Sequence, residues 1–426
     1  MSVAKRAVKG LVLACYHFLA HVLPVSRRTV VFMSSLGRSY TGNPRAVCEK
    51  MAELGMMQEF RCYYILDEPE RFVGKLPKGV RPLKNARLRY YAVMACAGVW
   101  VSDTRFQNYM VKRRDTVYIQ TWHGTPLKKL GLDLTQLHMA GKETLAEYKE
   151  TFRENAATWD YLISQNPFST EVFRRAFGFH GKVLAVGYPR NDRLVKWKNM
   201  ENEQQALNSS SAHPAQSKQP HFTDQTALAS LRTRLGIPPE KKVILYAPTW
   251  RDDAFYNEKD YKFTTALDFR KMHQAFAKEY VLVVKYHYMV REKDTWNEEP
   301  DFVRTMGEDV DIAELYLLSD MLITDYSSAM FDYSLLKRPM YFFAYDLENY
   351  RDALRGFYFD FEAEAPGAVV TTTEALIAAV KAGMTPETAQ RYARFAEKYN
   401  PYDDGHASEK VLGIIKKHKE GKMENE

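Results

Sequence analysis

Four stretches of the chain carry residues that could handle a phosphate, and each stands where an apolar run ends. Gln120-Thr-Trp-His-Gly-Thr-Pro-Leu-Lys-Lys-Leu-Gly131 follows the run Thr116–Gln120. His123 could take a proton from an attacking hydroxyl, because an imidazole titrates near the working pH. Gly124 permits close backbone approach to a ligand. Thr125 stands beside it as a candidate substrate contact, and Lys128 and Lys129 add positive charge. A hydrogen-bonded structural histidine is the competing reading of His123. Tyr246-Ala-Pro-Thr-Trp-Arg-Asp-Asp253 places Arg251 after a second run, where its guanidinium could fork onto phosphate oxygens or pair with Asp252 or Asp253. In Lys285-Tyr-His-Tyr288, Lys285 and His287 alternate onto one face of an extended chain. Both could donate to a diphosphate, and a charged imidazole would stabilise a leaving phosphate.

The fourth stretch is Asp320-Met-Leu-Ile-Thr-Asp-Tyr-Ser-Ser-Ala-Met-Phe-Asp-Tyr333. An apolar run breaks at Thr324-Asp325-Tyr326-Ser327-Ser328 and resumes with helical character from Ala329 to Leu336. A polar turn between a buried strand and a helix start is where open α/β sheets bind anionic ligands. Asp and Ser also cap helices for purely local reasons, so taken alone the stretch reads first as a plain N-cap.

These stretches need a scaffold that brings strand ends together. Strands are expected at Thr29–Met33, Cys62–Leu66, Gly98–Ser102, Thr116–Gln120, Tyr161–Ser164 and Val183–Val186. A second series is expected at Val243–Ala247, Val281–Lys285, Met321–Thr324, Met340–Phe343 and Val369–Val370. Helical patterns lie between them, as at Arg45–Leu54, Asp268–Lys278 and Ile312–Leu318. Such alternation implies βαβ units and mostly parallel sheets. With 426 residues, two domains are expected. The polar stretch 198–227 has no periodic apolar face and reads as a flexible insertion between residues 29–197 and 228–384. Residues 385–426 read as closing C-terminal helices.

Composition narrows the class. Hydrophobic residues at 46% and charged residues at 27% describe a globular chain. A net charge of +7 fits phosphates or a lipid surface and is too dispersed to argue for nucleic acid. The four cysteines match no zinc, redox or disulfide pattern, which suits a reducing cytoplasm. Asp309-Val-Asp311 has the form of a metal-holding D-x-D, but Asp311-Ile-Ala-Glu314 reads as a capping box. No P-loop or dinucleotide fingerprint is present, and neither metal nor cofactor is expected. At residues 1–28, Lys5, Arg6 and Lys9 precede an apolar stretch interrupted by His17 and His21. A signal peptide, a spanning helix and a helix packed on the protein compete here. An amphipathic helix lying on the membrane surface fits best.

Taken together, the Gln120–Lys128 segment, Tyr246-Ala-Pro-Thr-Trp-Arg251, the strand ending in His287, and Ser319–Tyr333 resemble the CDP-glycerol glycerophosphotransferase family of teichoic acid biosynthesis. The likeness continues through Leu336-Lys-Arg-Pro339, Arg355-Gly-Phe-Tyr-Phe-Asp360 and Pro366-Gly367. It implies a GT-B-type α/β fold, with two Rossmann-like domains facing a central cleft and the donor bound mainly by the C-terminal one. It also implies attack by an acceptor hydroxyl on CDP-glycerol with release of CMP. His123 then corresponds to the general base and His287 to a donor-diphosphate contact. Arg251, Thr324, Ser327 and Ser328 match further donor contacts, with Lys285 and Asp325 beside them. Asp403, Asp404, Gly405 and Ser408 fall where the family has a polar cluster, and Asp404 is taken as a substrate contact. The chain has Tyr288 where many relatives have Pro, and Lys410 where Arg is expected. The implied partners are CDP-glycerol, a polyprenyl-diphosphate-linked acceptor and the cytoplasmic face of the membrane. Monomer and homo-oligomer both stay open. Within such a family, a chain without a large extra N-terminal domain favours a primase or short-chain transferase. The rival functions are a CDP-ribitol or other polyol-phosphate transferase, a nucleotide-sugar glycosyltransferase or epimerase, and a silent nucleotide sensor at the membrane.

Overall fold

The computed structural model describes residues 3–136, 144–209, 222–249, 255–257, 260–261, 266–286, 299–307, 310–351 and 356–422. The chain divides into two compact units. Residues 1–123, 149–192 and 402–426 form the first, and residues 124–148 and 193–401 the second. His123 is therefore the last residue of one unit and Gly124 the first of the other.

The first unit is built on β1 (Ser26–Met33), β2 (Arg61–Leu66), β3 (Val80–Lys84), β4 (Ala97–Ser102), β5 (Val117–Gln120), β6 (Tyr161–Ser164) and β7 (Lys182–Ala185). They form one parallel sheet in the order β3-β2-β1-β4-β5-β6-β7. Helices cover both faces of such a sheet, so its central strands read as unbroken apolar runs; every residue of β4 is buried. The order turns back between β1 and β4, and the carboxyl ends of those strands mark the usual ligand crevice. The C-terminal helix Ala407–Lys419 returns to this unit, and its Val411, Leu412 and Ile415 are buried in the same core as Val30 and Val47. The segment 385–426 is thus shared: helix Pro386–Tyr399 lies in the second unit and Ala407–Lys419 in the first.

In the second unit, β8 (Lys242–Ala247) is followed by a small antiparallel pair, β9 (Phe255–Asn257) and β10 (Asp260–Tyr261). β11 (Tyr280–Val284), β12 (Val303–Thr305), β13 (Met321–Thr324), β14 (Met340–Phe343) and β15 (Ala368–Val370) complete a parallel sheet ordered β12-β11-β8-β13-β14-β15. Its switch point lies between β8 and β13. Helix starts follow the local rules of the sequence. Asp268 accepts the Lys271 amide at 3.0 Å, and Asp311 accepts the Ala313 amide at 2.9 Å. Asp311 thus serves as a cap, although Glu314 lies 3.6 Å from Arg193.

The reading of 198–227 as a flexible insertion is changed at its start, because helix Asp192–Ser209 continues through it. Polar tethers add to the buried Leu194 in holding the helix: Glu201 Oε1 accepts from Trp197 Nε1 at 2.8 Å and from Arg338 Nη2 at 2.6 Å. Helix Phe222–Arg234 follows, and residues 210–221 lie outside the described residues.

The N-terminal helix Val3–Val22 belongs to the first unit. Tyr16 and Ala20 are buried, with the Tyr16 ring 5.4 Å from Tyr91 on helix Leu88–Cys96 and its hydroxyl accepting the Val111 amide at 2.9 Å. Val8, Leu11, Phe18 and Val22 are exposed. The helix therefore packs along one side and presents apolar side chains on another. Among the described residues no helix is long and apolar enough to cross a membrane.

Candidate active site

The candidate residues fall into one group in each unit. In the first, β5 ends at Gln120 and the chain turns sharply through Thr121 and Trp122, which takes a φ of 50°. His123 follows. Its Nδ1 lies 2.8 Å from the Asp103 carbonyl oxygen, just past β4. A carbonyl only accepts, so Nδ1 carries the proton and the lone pair is left on Nε2. The Trp122 ring stacks on the imidazole with centroids 4.5 Å apart. Solvent still reaches the His123 ring, but the protein massed around it disfavours the charged form. That burial is the main reason its pKa is lowered; the Arg190 guanidinium adds to the effect and the Asp103 carbonyl opposes it. The result is a neutral imidazole with an available base nitrogen at the carboxyl end of a parallel strand.

Residues that the sequence did not single out hold this turn. Asn43 Nδ2 lies 3.3 Å from the Thr121 carbonyl and 3.0 Å from that of Trp122. Arg190 donates from Nη1 to the His123 carbonyl at 3.0 Å. The buried Asp103 carboxylate accepts the Ser35 amide at 2.8 Å, where Ser35 and Leu36 both take positive φ. Burial pushes the Asp103 carboxyl up to about 7, against the Ser35 amide and Arg190. The one local signal was the G-N-P at Gly42-Asn43-Pro44, an amide side chain at a helix start.

The Asp403–Ser408 cluster also belongs to the first unit. Asp403 accepts from Gln165 Nε2 at 2.8 Å and from the Tyr188 amide at 3.0 Å. Gly187, at φ 80°, lets this loop come close, since a Cβ there would lie 2.8 Å from Asp403 Oδ1. Asp192 accepts the amides of Ala407 at 2.9 Å and Ser408 at 2.8 Å, capping the last helix. Asp404, expected as a substrate contact, accepts the His406 amide at 3.0 Å and pairs with Lys410 at 2.6 Å.

In the second unit, Gly124 and Thr125 are buried. The chain beyond them zips onto residues 356–358: Tyr358 N donates to Leu127 O at 2.9 Å, and Lys129 N to Gly356 O at 3.2 Å. Lys128 Nζ sits 4.8 Å above the Tyr350 ring, itself stacked on Tyr326. At the switch point, Thr324 Oγ1 donates to the Ala247 carbonyl at 2.7 Å, tying β13 to β8. Asp325 is 2% exposed and accepts the Thr249 amide at 2.8 Å and also its hydroxyl. The helix expected from Ala329 to Leu336 is an α-helix over Ala329–Tyr333 and a 3-10 turn over Ser334–Leu336. Ser327 Oγ accepts the Ala329 amide at 3.2 Å, and the Ser328 side chain makes no capping bond. Lys285 Nζ donates to the Gly307 carbonyl. Arg251 and His287 lie outside the described residues. The described residues contain no cluster with metal-binding character.

Residues 15–219 and 219–417 match the family model described as CDP-glycerol:poly(glycerophosphate) glycerophosphotransferase. A teichoic acid poly(glycerol phosphate) polymerase of Bacillus subtilis (strain 168) is 41% identical over 93% of this chain; the match spans 50% of that protein. A teichoic acid glycerol-phosphate transferase of Staphylococcus aureus is 37% identical over 92% of this chain and 93% of that protein. The solved structure of the wall teichoic acid polymerase TagF matches with a TM-score of 0.82 at 33% identity, covering 99% of this chain and 97% of that one. A histidine variant of TagF soaked with CDPG matches equally, with a TM-score of 0.82.

Proposed function

The chain belongs to the CDP-glycerol:poly(glycerophosphate) glycerophosphotransferase family, and from that premise we propose that it transfers glycerol phosphate from CDP-glycerol to a lipid-linked acceptor in teichoic acid or related surface-polymer synthesis. The observation that carries the reading is the 2.8 Å contact between His123 Nδ1 and the Asp103 carbonyl oxygen, which leaves Nε2 as the base nitrogen. Its Nε2 takes the proton of the acceptor hydroxyl as that oxygen attacks the glycerol-bearing phosphorus. The bond from that phosphorus to the bridging oxygen breaks, a phosphodiester forms, and CMP leaves with the bonding electron pair. Phosphoryl transfer of this kind depends on in-line positioning and charge neutralisation. Arg251, Lys285 and His287 supply positive charge for the diphosphate. Thr324, Ser327 and Ser328 shape the turn beneath it, and Gly124, Thr125 and Lys128 complete the contacts after His123. Asp325 acts through Thr249, and Asp404 through the loop it caps.

The exposed apolar side chains of the N-terminal helix support a peripheral place on the cytoplasmic face of the membrane, beside a polyprenyl-diphosphate-linked acceptor. The test supplies CDP-glycerol, CDP-ribitol or UDP-sugars with a lipid diphosphate disaccharide and follows CMP release and product length. CMP release from CDP-glycerol is expected. Release from CDP-ribitol alone would move the donor to ribitol, and release from no CDP-polyol would overturn the reading.

A further inference from the structure

Trp122 carries a bulky side chain at φ 50°, a backbone state that persists only where surrounding contacts hold it. Its own amide donates to Gln120 Oε1 at 3.0 Å. The Thr121 hydroxyl donates to the Trp122 carbonyl at 3.1 Å, the Trp122 ring packs 4.5 Å from that of Phe177, and further grip comes from Asn43, which is 1% exposed. One amide group uses both ends there. Its nitrogen donates to the carbonyls of Thr121 and Trp122, and its oxygen accepts the Arg190 amide at 3.2 Å. Arg190 in turn donates to the carbonyl of His123. Asn43 thus holds the two peptide units before the histidine, and also the residue whose guanidinium holds the one after it.

We propose that Asn43 is a positioning residue: it fixes the strained turn that keeps His123 Nδ1 on the Asp103 carbonyl and so keeps Nε2 as the base. The proposal rests on the reading of His123 as the general base. The chemistry requires an amide. A carboxylate of the same shape could accept from Arg190 but would set an oxygen against two carbonyl oxygens, with no hydrogen to donate.

The experiment uses the full-length protein labelled with 15N-histidine, with the His123 signals assigned by their loss in His123→Gln. The wild type is expected to show the neutral tautomer protonated on Nδ1. Asn43→Asp removes both donors at constant size, and Asn43→Ala removes them without adding charge. Whichever variant retains the wild-type circular dichroism carries the test. In it the Nδ1-protonated signature is expected to give way to a mixture. Turnover should fall by about 10²-fold, the scale expected when a reacting group is misplaced by an ångström. KM for CDP-glycerol should stay within about twofold, since donor binding is not what is lost. A folded variant that keeps the tautomer overturns the proposal. If the wild type releases no CMP from CDP-glycerol, the transferase reading fails while the tautomer comparison still decides the Asn43–His123 link. If the wild type is active and the folded variants match it in tautomer and turnover, the link alone fails.

Discussion

His123 Nδ1 and the Asp103 carbonyl oxygen lie 2.8 Å apart, and that contact selects which imidazole nitrogen can act as a base. Burial lowers the His123 pKa, so the neutral form persists to more acidic pH than an ordinary imidazole allows. The acid limb of kcat/KM is therefore expected below the usual imidazole value of about 6.5. His123→Gln should remove that limb and lower turnover by about 10²–10⁴-fold. Calorimetry should find CDP-glycerol binding nearly intact; an equal loss of binding would remove His123 from the base role.

Asp103 makes a prediction of opposite sign. Its carboxyl is pushed up to about 7 in the folded protein by burial, against about 3.9 in an unfolded chain. Between those values the folded state holds a proton that the unfolded state has released. Stability from this group is therefore lost as pH rises through the window, and the loss is complete above it. Asp103→Asn keeps an acceptor for the Ser35 amide and keeps the backbone carbonyl that receives His123. Urea unfolding should show the variant's gain on the wild type absent at pH 3, growing through pH 5 and levelling off by pH 8, at no more than about 4 kcal/mol. A difference independent of pH would mean that Asp103 is ionised throughout.

Asp325 and Thr249 offer a test in the second unit. Asp325 accepts both the amide and the hydroxyl of Thr249, two residues before Arg251. Asp325→Ala strands that amide, at a cost of about 1–3 kcal/mol, and releases the segment leading to Arg251. KM for CDP-glycerol should rise. Thr249→Val removes only the hydroxyl and should have a smaller effect. The double variant should be less affected than the sum, because the two residues share one contact. Full additivity, or an unchanged KM, would show that the pair does not shape the donor site.

The central strands were legible because burial on both faces writes them as apolar runs: Tyr161–Ser164, Met321–Thr324 and Met340–Phe343 stand as expected. The strands that sequence reasoning passed over include one edge strand of each large sheet, β3 and β12. β3 reads Val-Arg-Pro-Leu-Lys, with a proline and exposed basic residues, which an edge tolerates and a central strand does not. His123 was visible because it follows a strand and precedes a glycine. Asn43, Asp103 and Arg190 were not, because their roles arise from contacts 20 to 147 residues distant that no local spacing encodes. Asp325 is expected among the substrate-binding residues, and no local spacing shows that its carboxylate accepts the amide of Thr249, 76 residues earlier.

The N-terminal helix can now be tested by face rather than by deletion. Tyr16 is fully buried, so removing the helix would also uncover the first unit. Leu11 and Phe18 are 68% and 66% exposed and lie seven positions apart, on one side of the helix. Burying each in a lipid interface would contribute about 1.5–3 kcal/mol. Leu11→Asp with Phe18→Asp should therefore weaken binding to anionic liposomes by more than about tenfold and leave the melting temperature unchanged. Tyr16→Ala should do the reverse. It should lower stability by about 3–5 kcal/mol, as the loss of a large buried aromatic ring does, while the exposed face stays in place. Unchanged liposome binding in the double aspartate variant would leave the helix as a packing element alone.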